Sequence, residues 1–288
     1  MRKITDEIAN LNPETDYERI GFLLGAYEFH TDLQLALQFA LFRTYAVPAI
    51  SSLLSRTGEF VSRPRKRYDD TEILMAEMGE NGMDSARGST AIGRMNDMHG
   101  RYRIPNHQMV YVISALVLEP KRWIERFGWR ALTEVEVQAG LHFYRALGAR
   151  MGITDIPETL EGMEQLNRAY EAEHFVYSES NAEIGQTTVD LYLSFYLPRA
   201  LFGLGRPITV SLMDIPLRRA MGFTDPPRWL QGSVIGLMQL RKHVLRWLPR
   251  RRKAALVTPR RRPSYPTGYK IAEVGTFGFG KSTDSPPK

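Results

Sequence analysis

The chain has 288 residues, 43% of them hydrophobic and 10% aromatic, with no cysteine and a formal net charge of +6. That is enough apolar material for one large domain, and the missing cysteine excludes disulfides, thiolate-held metal centres and cysteine-type zinc sites. Residues 249–288 carry +8, which leaves the first 248 residues at −2, so the body has no basic footprint for specific nucleic-acid binding.

Residues 1–30 read as a polar lead anchored by Tyr17, Phe22, Tyr27 and Phe29. They hold no signal-peptide core, and no run in the chain reaches the ~18 apolar residues of a transmembrane helix. A cytoplasmic location is expected, with any membrane contact at the surface. From Thr31, read as an N-cap, Leu33, Leu35, Leu37, Phe39, Leu41 and Phe42 make a helix that is apolar nearly all round, expected at the centre and divided by Pro48. The next helix starts soon after Pro64 and stops at Gly79, and another spans about Thr90–Arg103, ended by Pro105. NHQMVYVISALVLEP is a buried helix and KRWIERFGW a short separate one. Thr133 with Glu136, and Ser180 with Glu183, have capping-box spacing before two further helices; Asp155-Ile-Pro157 opens the one between them. FGLGRP reads as a turn, and Pro226-Pro227 lead into a last helix that stops at Pro249. The expected fold is therefore all-α: a lead over 1–30, a single large helical domain over 31–248, and a basic, Pro/Gly-rich extended tail over 249–288.

Six histidines are the strongest candidates for chemistry, and His99 stands out among them. On a helix, Ile92, Met95, His99 and Tyr102 form one stripe, flanked by Arg94, Asp97, Arg101 and Arg103. An imidazole among apolar side chains with arginines beside it suits a haem, where iron, porphyrin face and propionates each find a partner. A core histidine bonded to a carbonyl is the commoner outcome of such a pattern. One helix earlier, Arg67 and Thr71 stand four apart in RYDDT and share a face; they are either donors to a ligand or part of a solvated first turn.

Other constellations carry less. Glu171 and His174 form an ExxH, but di-iron sites need a second and none of the other histidines supplies one. His107, His142 and His243 read as structural. GTFGFGK, from Gly275, lacks the spacing and the flanking strand and helix of a phosphate loop. No nucleophile elbow is present. The tail's basic runs point to an anionic membrane surface or to simple solvation.

RYDDT from Arg67 to Thr71, then His99 in RMNDMHGRYRIPNHQMVYV, PKRWIERFGWRALT from Pro120, YEAEHF with the later Asn181, and PTGYK from Pro266 together resemble the rubber-oxygenase (latex-clearing protein) and MpaB oxygenase family, closer to the MpaB side. The resemblance covers roughly residues 60–270. It implies an all-helical fold with a globin-like core around haem b, His99 as proximal iron ligand, and Arg67 and Thr71 close to the haem as catalytic and pocket residues. Met95 and Arg103 are expected to contact the macrocycle. It also implies dioxygen and a small hydrophobic substrate (isoprenoid, lipid or polyketide-like), with oxidative C=C cleavage as the model reaction. Rubber oxygenases carry a lysine where this chain has Asp70, and a catalytic glutamate upstream for which Glu59 has the wrong spacing. These departures keep a second reading open, a haem sensor, carrier or peroxidase-like protein without oxygenase turnover, and a third, a cofactor-free helical interaction protein with a basic tail.

Overall fold

The structure, a computed structural model, describes residues 4–276. Its α-helices are α1 (Ile4–Ile8), α2 (Tyr17–Leu23), α3 (His30–Thr44), α4 (Pro48–Arg56), α5 (Glu59–Ser62), α6 (Pro64–Asn81), α7 (Ala86–His99), α8 (Asn106–Phe127), α9 (Glu134–Arg150), α10 (Leu160–His174), α11 (Glu179–Ser194), α12 (Phe202–Val210), α13 (Ile215–Ala220) and α14 (Arg228–Trp247). A π-helical turn, Leu24–Glu28, joins α2 to α3, and short 3-10 turns lie at Arg199–Leu201 and Ile271–Glu273. Among the described residues the β pairing is one isolated bridge, Arg262 with Tyr265. The fold is all-α and single-domain.

Local chemistry explains most boundaries. Pro48 and Pro64 each occupy the first turn of a helix, where their missing N–H costs nothing. Ser85, Thr133, Thr159, Ser178 and Asp214 cap α7, α9, α10, α11 and α13 with side-chain oxygens, each adding about 1 kcal/mol. Thr133 and Glu136 form the full reciprocal box. The Ser180–Glu183 pair does not: Ser178 caps α11, while Ser180 and Glu183 hydrogen-bond Ser51 and Ser55 of α4. Thr31 is likewise not a cap, because the π-helical turn runs almost directly into α3 at His30. Leu160, and not the Asp155–Pro157 segment, opens α10.

Two expected breaks are absent. α8 runs unbroken through Pro120, and α12 spans the FGLGRP segment with Pro207 inside it. An interior proline costs about 3 kcal/mol. In α8 that cost is offset by Leu116, Leu118, Trp123, Ile124 and Phe127, all buried, at about 1.5–3 kcal/mol each. Pro48 does divide the helices, and α3 and α4 meet at 95°. No single helix among the described residues is long and apolar enough to cross a membrane.

α3 and α8 lie along each other at the centre. One apolar cluster joins α6, α7, α8 and α9; a second joins α1, α2, α3 and the end of α8; a third joins α3, α11, α12 and α13. Residues 4–30 contribute Ile8, Ile20, Leu23, Leu24 and Phe29 to the second cluster, all buried. The segment after α14 is extended but closely packed: Arg262 and Val274 are buried, and it runs along α6. Most of the Gly275–Lys281 run lies outside the described residues.

Candidate functional site

The α6–α7 pair sets the geometry of the site. Gly82, at φ +86°, turns the chain after α6, and Gly88 lets the first turn of α7 sit on the Gly82 carbonyl, where a Cβ would lie 1.9 Å from that oxygen. From this turn α6 runs back to Arg67 and α7 runs on to His99. Each residue stands about 20 Å from the turn at 1.5 Å per residue. The antiparallel pairing therefore brings Arg67 opposite His99, although 32 positions separate them in sequence.

His99 closes α7. Its Nδ1 is buried without a hydrogen-bond partner among the described residues, while the residue as a whole keeps some accessible surface. Burial pushes its pKa down to about 4, and the nearby Arg67 charge adds to the effect. The ring is thus neutral at ordinary pH, with a lone pair on one nitrogen. Among the described residues no backbone carbonyl accepts a hydrogen bond from Nδ1. Met95 packs against the first apolar cluster one turn before His99. Arg103 is exposed beyond the helix end. Arg94, fully buried, donates through Nε to the Val274 carbonyl and through Nη1 to Asp97, so it is held by the C-terminal segment, while its Nη2 has no partner among the described residues.

Arg67 and Thr71 face a large cavity of about 330 Å³ with mostly apolar walls. Leu33, Leu37 and Leu41 of α3, Leu116, Val117 and Pro120 of α8, and Phe143 and Tyr144 of α9 line it; His99 is not among the lining residues. Arg67 Nη1 donates to Thr71 Oγ1 at 2.5 Å, and the Thr71 hydroxyl donates to the Arg67 carbonyl at 3.1 Å. The guanidinium lies 5.4 Å from the Phe60 ring centroid and forms no salt bridge within the described residues. An arginine on an apolar cavity wall without a carboxylate has donors to offer an anionic or oxygen-bearing ligand.

Three tyrosines escaped the sequence reading. Tyr45, Tyr68 and Tyr192 all line the cavity beside Arg67, and burial raises the pKa of each. Gln38 donates to the Tyr68 hydroxyl at 2.7 Å. Only Tyr68 carried a legible signal, one position after Arg67; the others come from distant helices.

Asp70 has a different task. Lys66 donates to it at 2.9 Å, and the Tyr265 hydroxyl donates to it from the C-terminal segment. Glu59 accepts from Arg63. Glu171 accepts two hydrogen bonds from Arg43, at 2.7 and 2.6 Å, so the carboxylate of the ExxH pair joins α3 to α10. His107, Tyr170 and His174 form one aromatic cluster, with His174 edge-on to Tyr170 and the two histidine rings 6.4 Å apart.

A family model for the catalytic domain of "ER-bound oxygenase mpaB/B'/Rubber oxygenase" matches residues 29–244. The chain is 35% identical over 275 residues to ER-bound oxygenase mpaB' of Penicillium brevicompactum, covering 89% of this chain and 63% of that protein. It is 32% identical over 245 residues to ER-bound oxygenase mpaB of Penicillium roqueforti (strain FM164), covering 78% of each. It is 34% identical over 260 residues to mpaB of Penicillium brevicompactum, covering 83% of this chain and 63% of the relative. The chain thus spans less than two thirds of the length of the two Penicillium brevicompactum proteins.

Proposed function

The chain belongs to the MpaB/rubber-oxygenase family, and from that premise we propose that it is an oxygenase that binds haem b through His99 and oxidises a small apolar substrate with dioxygen. One observation carries the reading: a neutral histidine with a buried, unpartnered Nδ1 lies near Arg67, which lines an apolar cavity and has no carboxylate partner among the described residues.

The residues present fit the group. A metal ligand must be deprotonated, and His99 is held in that state by burial and by Arg67. Met95 and Ile92, one and two turns back on the same stripe, supply an apolar flank. When bound, haem would supply the redox-active iron and the open coordination position for dioxygen.

The chain's own residues do the rest. Arg67 keeps N–H groups beyond the one given to Thr71, and the low-dielectric wall strengthens their pull on negative charge developing on oxygen. Thr71, tied to the Arg67 carbonyl, fixes where that guanidinium stands. The leucines of α3 and the Leu116–Pro120 stretch of α8 exclude water and hold an apolar chain. Family membership supports an oxygenase, and C=C cleavage is our proposal for the reaction class; Asp70, bound to Lys66 and Tyr265, stands where rubber oxygenases carry a lysine.

The test is the visible spectrum of protein produced with haem supply, followed by oxygen uptake with an isoprenoid or polyunsaturated substrate. The wild type should show a Soret band and consume oxygen with product formation. His99→Ala should lose most of the band and bind haem at least about tenfold more weakly. A His99→Ala protein with full haem affinity would remove the ligand assignment; a haem protein that consumes no oxygen would favour the sensor or carrier reading.

A further inference from the structure

α14 is amphipathic the wrong way round. The face turned to the protein is largely polar: Gln239, Lys242 and Arg246 donate to the carbonyls of Arg126, Glu125 and Trp129 at the end of α8, and Arg241 pairs with Asp32. Ile235 and Met238 are the apolar contacts on that side. The outward face carries Trp229, Leu237, Leu240, Val244 and Trp247, at spacings of eight, three, four and three that keep them within one stripe. Their exposures are 72%, 67%, 59%, 50% and 89%, and no residue of this helix is buried. α12 packs against α14 and adds exposed Leu204 and Ile208, with Leu201 just before it. An ordinary surface helix puts these two faces the other way. Apolar patches of this extent mark a contact surface.

We propose that the α12–α14 face is a membrane-docking surface that lies in the headgroup layer of an anionic lipid leaflet. Three features select lipid. The stripe has a tryptophan at each end, about 27 Å apart along the axis, and tryptophan favours the water–hydrocarbon boundary. Arg251, Arg252 and Lys253 follow Trp247 and Leu248 after Pro249 and Arg250; all three are exposed, and none forms a salt bridge to a described residue. A continuous apolar stripe ending in a basic cluster is complementary to acyl chains under anionic headgroups. Two further basic residues of the tail are differently disposed: Arg260 and Arg262 bind His30 and Glu72. The basic charge next to the stripe therefore comes from the short run after α14. The helix lies flat on the bilayer, since no single helix among the described residues is long and apolar enough to span it.

The experiment is vesicle flotation of the full chain with phosphatidylcholine alone and with phosphatidylcholine plus phosphatidylglycerol, with tryptophan emission read in parallel. Trp123 and Trp129 are buried or half-buried, so a blue shift on binding reports Trp229 and Trp247. The wild type should float with mixed vesicles more than with neutral ones and shift to the blue. Leu237→Glu with Leu240→Glu changes exposed side chains only and should keep its circular dichroism and Tm while partitioning at least about tenfold less. Arg251→Ala, Arg252→Ala and Lys253→Ala together should abolish the preference for anionic vesicles. A wild type that floats with neither vesicle overturns the proposal, as does a glutamate variant that floats undiminished. A concentration-dependent dimer that the glutamate variant dissociates, without vesicle binding, would instead make this face an interface between copies.

Discussion

His99 stands out in the sequence and Arg67 does not, and the meaning of both comes from their being brought near one another. The stripe that flagged His99 holds for Ile92 and Met95, which pack in the same cluster, but the helix ends at His99 and leaves Tyr102 outside it, and periodicity could not show an unpartnered Nδ1. The RYDDT motif was read for Arg67 and Thr71, which do share a face and a hydrogen bond. Its acids take local partners, Asp69 from Arg65 and Asp70 from Lys66, but Asp70 also accepts from Tyr265, about 200 positions away, which no local pattern shows. Arg67→Leu should lower turnover by about 10²- to 10³-fold at unchanged fold, and Arg67→Lys should restore only part of it, since an ammonium lacks the guanidinium fork; steady-state oxygen consumption checks both. His30 gives a separate handle. Its Nδ1–H donates to the Gly25 carbonyl at 2.9 Å, so its Nε2 must accept from Arg260, an arrangement open only to the neutral ring. Burial holds its pKa below the ordinary histidine range, and Arg260 pushes the same way against the opposing Gly25 bond. With the folded value lowered, the unfolded chain takes up a proton that the folded chain does not as pH falls below about 6.5. Stability is complete above that pH and is lost on going down through it. Urea-derived stability of His30→Gln should therefore decline less steeply than that of the parent between about pH 7 and pH 5.

At the scale of elements, α6 has two working faces. Pro64, Arg67, Thr71, Met75 and Gly79 recur at three- and four-residue intervals along the cavity. Beside them Asp70, Glu72, Glu77 and Glu80 receive Tyr265, Arg262, Tyr269 and the backbone of Val257 and Thr258. The tail's excess positive charge is thus partly neutralised by the acids of one helix. Helix identities were legible because the 3.6-residue apolar pattern and the caps are local. The failures have non-local causes: Pro120 and Pro207 sit inside helices that tertiary burial sustains, and Ser180 and Glu183 reach α4 instead of capping α11. Asn181, one of the residues behind the family likeness, is fully buried and donates to the carbonyls of Ala46, Val176 and Ala220, so this part of the likeness records a structural knot. The Arg262–Glu72 pair, at 2.9 Å, offers the sharpest test of the acidic face. Arg262 is almost completely buried, so Glu72→Ala leaves its guanidinium with only carbonyl partners. The loss should be about 3 kcal/mol, reduced from the top of the buried-pair range because Glu72 is partly accessible; Glu72→Gln should recover a share of it in the same urea titration.

At the scale of the whole molecule, the C-terminal segment completes the cavity that the helical body begins. Ala255 and Val257 are part of the cavity wall, and the Ala255 amide donates to Ala26 in the π-helical turn on the opposite rim. His30 and Ala26 of that rim, together with Glu80 of α6, fasten the segment across the cavity. A π-helical turn is costly and tends to persist where it shapes a site; here it presents backbone and His30 to the segment that covers the apolar space. Composition alone described this segment as a solvated basic tail. Only contacts spanning from about 180 to 230 positions show it as a strap, and such pairings leave no periodic trace in the sequence. A chain ending at residue 248 should lose this wall while keeping its helices. Far-UV circular dichroism should stay close to the parent's, Tm should fall by several degrees, and a hydrophobic dye such as ANS should bind to the opened cavity. A truncated chain with the parent's Tm and no added dye binding would show that the helical body closes the cavity unaided.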